Sequence, residues 1–180
     1  IGIWWSGSEN DVTPVGDGAN GYKALTFHGV GMDYPVYADL KKYVYDAGKS
    51  AGAGDQIGSA VYSRGMYAAM VISEAIRNTQ AKVGSSKITP AQLRDGMEAL
   101  ELTEARLTEL GLPNFGMPFK ATCADHGGPG AAMIQQWDAS AKKWNLITGF
   151  IEPDNEVLDP LVAADSAAYA AENKIAERCN

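Results

Sequence analysis

The segment "SAVYSRGMYAAMVISEAIRNTQAK", residues 59–82, is the longest regular pattern in the chain. Its small and apolar residues recur three or four positions apart, which is the spacing of one face of an α-helix. The residues of this predicted face are Val61, Gly65, Ala68, Ile72, Ala75 and Ile76. We therefore expect a long helix from Ser59 to about Lys82 that packs this face into the core.

Shorter patterns on both sides of this helix alternate between strand and helix. The run "YKALTF" (22–27) is typical of a strand, and apolar spacing predicts a helix from about 36 to 47. Thr89 is a suitable N-cap with Pro90 at the first helical position, so another helix begins there. "LTEARLTELG" (102–111) predicts a short helix that ends at its glycine. After Pro113, "MPFKATC", "AAMIQQWD" and "KKWNLITGFI" predict a meander of strands, and the alanine-rich segment 157–178 predicts a tail helix. This order indicates an α/β fold.

Composition and charge limit the classes of partner. The 180 residues are 46% hydrophobic, enough for one sizeable core, and the formal net charge is −7 at pH 7. An acidic chain disfavours nucleic acids and anionic membranes as partners, because both need a basic footprint. Cys123 and Cys179 are too few and too far apart for a CxxC-type zinc site, and they are either two thiols or one bridge. The sequence predicts no metal site and no cofactor.

Three polar stretches resemble parts of catalytic sites but lack the required context. The glycine-rich "GDGANG" (16–21) precedes a strand and not a helix, unlike a phosphate-binding loop. Asp125 and His126 would point to opposite faces of a strand, which favours a hydrogen-bonded turn over an acid–base pair. Ser6 and Ser8 have no motif that supplies a base, which favours a polar loop over a nucleophile. We therefore predict no catalytic residue and no enzyme activity.

The run "GIWWSGS" (2–8) places two tryptophans before glycine and serine. As a strand over residues 1–5, it would point Trp4 and Trp5 to opposite sides, so that at most one of them fills a core. Ligands of open α/β sheets bind beyond the carboxyl ends of the strands, which is where Ser6 follows Trp5. A pocket beside Trp5 and plain core packing explain the two tryptophans about equally well.

Several segments, in the right order, resemble one family of binding proteins. "VGDGANGYKALTFH", "FHGVGMDYPVYADLKKYV" and "VYSRGMYAAMVISEAIR", followed by "ITPAQLRDGMEAL", are similar to the C-terminal part of the periplasmic substrate-binding proteins of branched-chain amino acid ABC transporters. "WWSGSENDV", "LTEARLTELG" and "TCADHGG…IQQWD" are similar to a bacterial branch whose members take amino acids or aromatic carboxylic acids. The resemblance covers nearly the whole chain.

The resemblance implies the type I periplasmic binding protein fold, in which two Rossmann-like lobes are joined by three crossing strands. The chain would then be an incomplete, C-terminal portion of such a protein. Residues 1–27 would be a remnant of the second lobe, 28–33 the hinge, 34–151 the C-terminal part of the first lobe, and 152–180 a tail helix. A sheet cut in this way has an unpaired edge, so we expect the chain to self-associate. The resemblance also implies that the groups which hold the ligand carboxylate belong to the missing N-terminal part, so we expect this chain by itself to bind no free ligand tightly.

For function, the resemblance implies a solute-binding component of an ABC importer. It would capture a hydrophobic or aromatic amino acid, or a related carboxylic acid, between two lobes in the periplasm and deliver it to an inner-membrane permease. Asp17 would then receive the ligand's ammonium group, and Trp5 and Ser6 would line the cleft. Export to the periplasm implies a disulfide between Cys123 and Cys179. The alternative is a Rossmann-like sensory domain or a stand-alone α/β enzyme.

Overall fold

The computed structural model describes residues 1–176 and 178–179. The α-helices are α1 (Glu9–Val12), α2 (Pro35–Leu40), α3 (Ala60–Val83), α4 (Pro90–Met97), α5 (Glu104–Glu109) and α6 (Asn155–Glu172). The strands are β1 (Lys23–Thr26), β2 (Glu101–Leu102), β3 (Phe119–Lys120), β4 (Met133–Asp138) and β5 (Lys143–Leu146). Three 3-10 turns cover Trp4–Ser6, Thr13–Ala19 and Gly54–Gln56, and a π-helical turn over Lys41–Tyr45 continues α2. The predicted helix over 36–47 is therefore confirmed as α2 with its π-helical continuation.

The strands pair in two antiparallel sheets. One sheet has the order β1-β4-β5, with Ala24 of β1 opposite Gln135 of β4. The other consists of β2 and β3, with Leu102 opposite Phe119. The predicted meander is therefore correct for β4 and β5, which are consecutive and paired. It is wrong for β3, because β3 pairs with β2 instead.

This topology differs in two respects from the expected lobes. Among the described residues, the one parallel pairing is an isolated bridge between Gly2 and Ala24. The chain is thus a mixed α/β domain, and its predicted Rossmann-like character is not confirmed. Strands β1 and β4 share a sheet, although the predicted division assigned residues 1–27 and 34–151 to different lobes. The boundary predicted at 28–33 therefore does not separate two sheets.

Helix α3 is the predicted long helix, but a different face is buried. The Ser59 hydroxyl accepts a hydrogen bond from Tyr62 N at 3.4 Å, and Gly84 ends the helix with a φ of +69°. Val61 and Ile72, both on the predicted core face, are 52% and 45% exposed. The buried residues are Ala60, Ser63, Glu74, Ala75 and Thr79. The prediction is confirmed for Ala75 but wrong for most of the face, because the polar members of the buried set are hydrogen-bonded inside the structure, which hydropathy does not show.

Helix α4 packs closely on α3. Its predicted start is confirmed by a capping box, in which Gln92 N donates to Thr89 Oγ1 at 3.2 Å and Thr89 N donates to Gln92 Oε1 at 2.8 Å. A Cβ atom on Gly96 would overlap the hydroxyl of Thr79 on α3. The glycine therefore permits this close approach of the two helices.

Helix α5, predicted from "LTEARLTELG", is tied to α3 through a buried carboxylate. Arg106 on α5 donates to Glu74 on α3 through Nε at 2.8 Å and Nη2 at 3.0 Å. Arg77, one turn along α3, donates to the same carboxylate at 3.1 and 2.8 Å. Glu74 is only 5% exposed, so these charge-assisted bonds offset the cost of burying its charge.

The expected strand at the N-terminus is limited to the bridge at Gly2. Ser6 N and Ser6 Oγ both donate to Ile3 O, at 3.0 and 2.9 Å, and close the first 3-10 turn. The rings of Trp4 and Trp5 are only 4.8 Å apart, so they do not point to opposite sides of a strand. The prediction was wrong beyond Gly2 because local bonds to Ile3 replace a strand ladder.

The buried apolar residues form three clusters and not one continuous core. Trp137 and Trp144 belong to the cluster on the β1-β4-β5 sheet. Tyr37 and Phe115 belong to a second cluster, between α2 and α3. Leu100 belongs to the third, between α3, α4 and β2. The β1-β4-β5 sheet and helix α3 therefore pack against separate apolar clusters.

The predicted tail helix is present as α6, but it ends at Glu172 and not near residue 178, and none of its residues is buried. A disulfide joins Cys179 to Cys123, with 5.5 Å between the two Cα atoms, and ties the tail to the loop after β3. Beside it, Arg178 Nη1 donates to Glu98 on the α4 side at 3.1 Å. No helix in the described part of the chain is long and apolar enough to cross a membrane.

Candidate functional site

The first candidate site is formed by Trp4, Trp5, Phe27 and Arg64, which we call the Trp–Arg cluster. The guanidinium carbon of Arg64 lies 3.8 Å from the Trp4 ring centroid and 5.3 Å from that of Trp5. Arg64 Nη2 also donates to the Trp4 carbonyl at 3.2 Å. Phe27 meets the Trp4 ring edge-on at 5.4 Å. The N-terminal turn, the residue after β1 and α3 thus meet in one cluster, in which the Arg64 cation lies against two indole rings.

The backbone after the tryptophans is fixed against the sheet. Gln135, buried on β4, donates through Nε2 to Gly7 O at 2.7 Å. A Cβ on Gly7 would lie 2.6 Å from that nitrogen, so only glycine allows the contact. The Asp11 carboxylate then accepts bonds from Ser8 N at 2.9 Å and Ser8 Oγ at 2.7 Å, which closes the start of α1. Trp5 therefore projects from a rigid support.

The two tryptophans differ in exposure. Trp4 is half-buried, and its Nε1 has no hydrogen-bond partner among the described residues. Trp5 is 70% exposed. An exposed aromatic ring beside a cation offers both apolar contact and charge to a small molecule, as ligand sites commonly do.

Arg64 has no carboxylate partner among the residues that the structure describes, whereas Arg77, Arg94, Arg106 and Arg178 each form an ion pair. Its Nε is buried without an acceptor. Burial lowers the pKa of Arg64, and the negative charge of Asp11 opposes that shift. The guanidinium stays charged at neutral pH, because arginine titrates far above pH 7. Within the part of the chain that the structure describes, the Trp–Arg cluster therefore carries a positive charge without an ion-pair partner.

His28 lies close enough to Arg64 for the guanidinium charge to affect the pKa of its ring. It is 3% exposed, its ring stacks on Phe115 at 5.6 Å, and its Nδ1 is 2.9 Å from Gly29 O. Burial lowers the pKa of His28, the Gly29 carbonyl opposes this, and the charge of Arg64 lowers it further. His28 is therefore neutral at pH 7, and the positive charge of this region belongs to Arg64.

The structure brings together only part of the predicted site. Trp5 is in the Trp–Arg cluster. The Ser6 hydroxyl is used locally, since it donates to Ile3 O and accepts from Tyr22 Oη at 3.0 Å. Asp17 is exposed on the second 3-10 turn, and in the described part of the chain no hydrogen bond or ion pair involves its side chain. It is therefore not joined to Trp5 or Ser6.

The sequence analysis missed Arg64 and Glu9. Both oxygens of Glu9 accept from Ala60 N, at 3.1 and 3.2 Å, so this carboxylate caps the N-terminus of α3. Arg64 and Trp4 are 60 positions apart in the sequence, and no local motif indicates a contact over such a separation. The sequence does contain one signal for Arg64. It is a single arginine in the second turn of α3, and the residues around it in the helix are small or apolar.

A second candidate is an apolar groove between α3, α4 and the loop 126–131, with a volume of about 820 Å³. Its apolar lining includes Phe27, Tyr67, Val71, Leu93, Leu100 and Phe119. The charged groups on its rim have partners among the described residues: Arg94 pairs with Asp95, and Glu98 binds Arg178 and lies 3.3 Å from His126 Nε2. The groove therefore offers apolar surface but no free charge for orienting a ligand.

The Asp125–His126 pair lies in a turn on this rim. Asp125 Oδ1 accepts from Gly127 N at 2.8 Å, and Thr122 Oγ1 accepts from Asp125 N at 3.0 Å. This confirms the predicted hydrogen-bonded turn. In the described residues, no group of three or more His, Cys, Asp or Glu side chains is arranged to hold a metal ion.

Two solved structures are similar to the chain. The crystal structure of an ABC transporter permease from the Pseudomonas fluorescens group shares 39% identity with a TM-score of 0.91, and the match covers 100% of this chain and 43% of that chain. A branched-chain amino acid ABC transporter from Thermus thermophilus, solved with bound valine, shares 20% identity with a TM-score of 0.65, and the match covers 87% of this chain and 40% of that chain. No family model and no curated protein matches the chain.

The similarity relates the chain to ABC transporter proteins, as the sequence resemblance predicted at that level. The chain spans about two fifths of the length of both solved structures. At 20% identity, the similarity to the Thermus thermophilus structure concerns the fold alone. It relates the fold of this mixed α/β domain to the type I periplasmic binding protein fold.

Proposed function

We propose that this chain belongs to the solute-binding component of an ABC importer and helps to capture a hydrophobic or aromatic amino acid or a related carboxylic acid. The observation that carries the proposal is the match of the whole chain to an ABC transporter protein at a TM-score of 0.91. The likeness in fold to an ABC transporter solved with valine supports a small amphiphilic ligand. We assign ligand contact to the Trp–Arg cluster, because it combines an exposed ring with an unpaired charge.

A part in the permease itself is the second candidate, since the 39% identical structure is described as a permease. The two candidates differ in what the isolated chain does. The resemblance alone led us to expect no tight binding by this chain, but the Trp–Arg cluster is formed entirely within it. A solute-binding role at this cluster therefore predicts measurable ligand binding in aqueous solution without a membrane partner. A permease role predicts no such affinity.

The proposal includes an inner-membrane permease as partner, a periplasmic location and no catalytic step. The disulfide between Cys123 and Cys179 supports the location, because the periplasm is oxidising. Self-association of the chain stays a prediction. Light scattering at micromolar concentration measures it directly, and a mass that stays monomeric would contradict it.

The test of the proposal is calorimetry with valine, leucine, phenylalanine and phenylacetate. We expect at least one of them to bind, and Trp5→Ala to weaken its binding by about 2 kcal/mol, as for a central aromatic contact. Tyr169→Ala is the matched control, because Tyr169 is also an exposed aromatic residue but lies on α6. Absence of binding by all four compounds would contradict the proposed function.

Asp17 has its own test within this assay. If Asp17 receives a ligand ammonium group, Asp17→Asn weakens amino acid binding by about 1.5–3 kcal/mol, the range for a hydrogen bond to a charged group. Phenylacetate has no amine, so its binding should not change. Equal amino acid affinity of wild type and variant would remove Asp17 from the site.

A further inference from the structure

We infer that Arg64 and the exposed face of Trp5 form a binding position for the carboxylate of an apolar monocarboxylic acid. The inference rests on the proposed function and names the class of its ligand. It starts from one contact, the guanidinium stacked 3.8 Å from the Trp4 ring centroid with the exposed ring of Trp5 next to it.

The charge of Arg64 is unusual for this chain. A half-buried cation loses part of its hydration, and proteins normally offset that loss with a carboxylate. Cation–π contact with two indoles offsets some of the cost, but it leaves the N–H groups without acceptors. Among the described residues, only Nη2 has an acceptor, the Trp4 carbonyl, and Nε is buried with none.

The acidic side chains near Arg64 are held by other partners. One oxygen of Asp11, the carboxylate that acts on the charge of Arg64, is engaged by Ser8 N and Ser8 Oγ. Both oxygens of Glu9 face Ala60 N at the start of α3. Within the described part of the chain, neither carboxylate forms an ion pair with Arg64, although the charge of Asp11 still acts on Arg64 at longer range. An external carboxylate fits the unfilled role.

The geometry also indicates the shape of the ligand. Because Nε is buried and Nη2 already donates to the Trp4 carbonyl, the donors left for a ligand are Nη1 and the second N–H of Nη2, and this end of an arginine can donate to both oxygens of a planar carboxylate. The exposed ring of Trp5 beside it provides an apolar wall for the rest of the molecule. A ligand ammonium group at the same position would be repelled. The site therefore selects aromatic or aliphatic acids by their carboxylate.

The test compares three ligands of nearly equal shape on the whole 180-residue chain: phenylacetate, phenethyl alcohol and phenethylamine. We expect phenylacetate to bind at least tenfold more tightly than the alcohol, and the amine to bind least. Arg64→Met keeps a side chain of similar length on the Trp4 ring and should weaken phenylacetate by about 10- to 100-fold, since charge-assisted bonds are lost. Binding of the alcohol should weaken much less, because its hydroxyl carries no charge and loses only a weaker hydrogen bond. Arg64→Lys, which keeps the charge but not the paired donors, should fall between.

Arg94→Met is the control, because Arg94 is an exposed arginine that lines the apolar groove. If Arg94→Met weakens phenylacetate and Arg64→Met does not, the ligand lies in the groove and the inference is wrong. If the three ligands bind equally and Arg64→Met changes nothing, the inference fails while the solute-binding function stands. If none of these ligands and none of the amino acids binds, the proposed function fails and the inference fails with it. Circular dichroism of Arg64→Met and Arg64→Lys checks folding, and loss of phenylacetate affinity in a folded Arg64→Lys variant supports the inference independently.

Discussion

Replacing Glu74 by glutamine tests the ionic link between α3 and α5. The side chain keeps its shape but loses the charge that Arg106 and Arg77 share. Hydrogen bonds from Arg106, and then from Arg77, lower the pKa of Glu74 to about 2, although burial opposes the shift. Glutamine still accepts a hydrogen bond, so the substitution isolates the contribution of the charge.

The magnitude follows from the pKa. The difference between the ordinary value of 4.5 and the folded value of about 2, at 1.36 kcal/mol per pKa unit, sets a ceiling of about 3.4 kcal/mol. The side chain of Arg77 is 55% exposed, so water screens its share of the interaction. We therefore expect Glu74→Gln to lower the free energy of unfolding by about 2–3 kcal/mol at pH 7.

The sign of the pH dependence follows from the same shift. Because the folded pKa of Glu74 lies below its unfolded value, its stabilisation is complete well above pH 4.5 and is lost as the pH falls toward 2. The difference between wild type and Glu74→Gln should therefore shrink over this range. Urea unfolding followed by circular dichroism at pH 7, 5, 4 and 3 measures it.

The matched control is Glu101→Gln, since Glu101 is exposed and lies 3.8 Å from Lys120 in a surface pair. Such pairs contribute about 0–1 kcal/mol. A Glu74→Gln variant that loses no more stability than the Glu101→Gln variant would refute the reasoning. So would a Glu74→Gln difference that is the same at pH 3 as at pH 7.

Three further predictions concern other parts of the chain. Cys123→Ser opens the disulfide and a loop of about 57 residues, and should cost about 4 kcal/mol in thermal unfolding; two free thiols in an unreduced native sample would contradict the bridge. Gly96→Ala should destabilise the fold by about 1–3 kcal/mol, because the added methyl group meets α3. Gly65→Ala, which has open space around it on α3, should stabilise the fold by about 0.5–1 kcal/mol. Equal effects of the two substitutions in urea unfolding would disprove the close approach of α4 to α3. Since burial lowers the pKa of His28, stability should fall as the pH drops below 6.5, and His28→Phe should remove this step; a step that persists in the variant belongs to another group.

Local signals in the sequence were sufficient for most elements of the fold. The capping pattern at Thr89 fixed the start of α4, and helical spacing placed α3 within about one residue of its ends. The buried face of α3 was not predictable in this way. Glu74 is buried because arginines at positions 77 and 106 surround it, and the second of these is 32 positions away. Hydropathy assigns a lone glutamate to the surface, so the predicted face was rotated.

The candidate site was less predictable than the fold. A single residue, Trp5, connects the predicted site to the Trp–Arg cluster, and the strand prediction placed its neighbour Trp4 on the wrong side. The turn that brings the rings together depends on bonds to Ile3 O and on the fit of Gly7 against Gln135. The second of these contacts spans 128 positions of sequence, and therefore no window of local residues contains it.

Asp17 would bind the ammonium group of an amphiphilic solute, whereas Arg64 would bind its carboxylate. The surroundings of the two residues favour binding through Arg64. Asp17 is exposed, so water screens an ion pair there, and an ammonium contact would contribute no more than the lower end of the range of about 1.5–3 kcal/mol given above. Arg64 is half-buried against two indole rings, where the effective dielectric constant is lower and the same Coulomb interaction is several times larger. The chain has already met much of the desolvation cost of Arg64 by folding, so a carboxylate gains the stronger interaction without reorganising the site. If the chain binds a solute as proposed, we therefore expect charge recognition in this part of the molecule to depend on the acid group of the ligand more than on an amine.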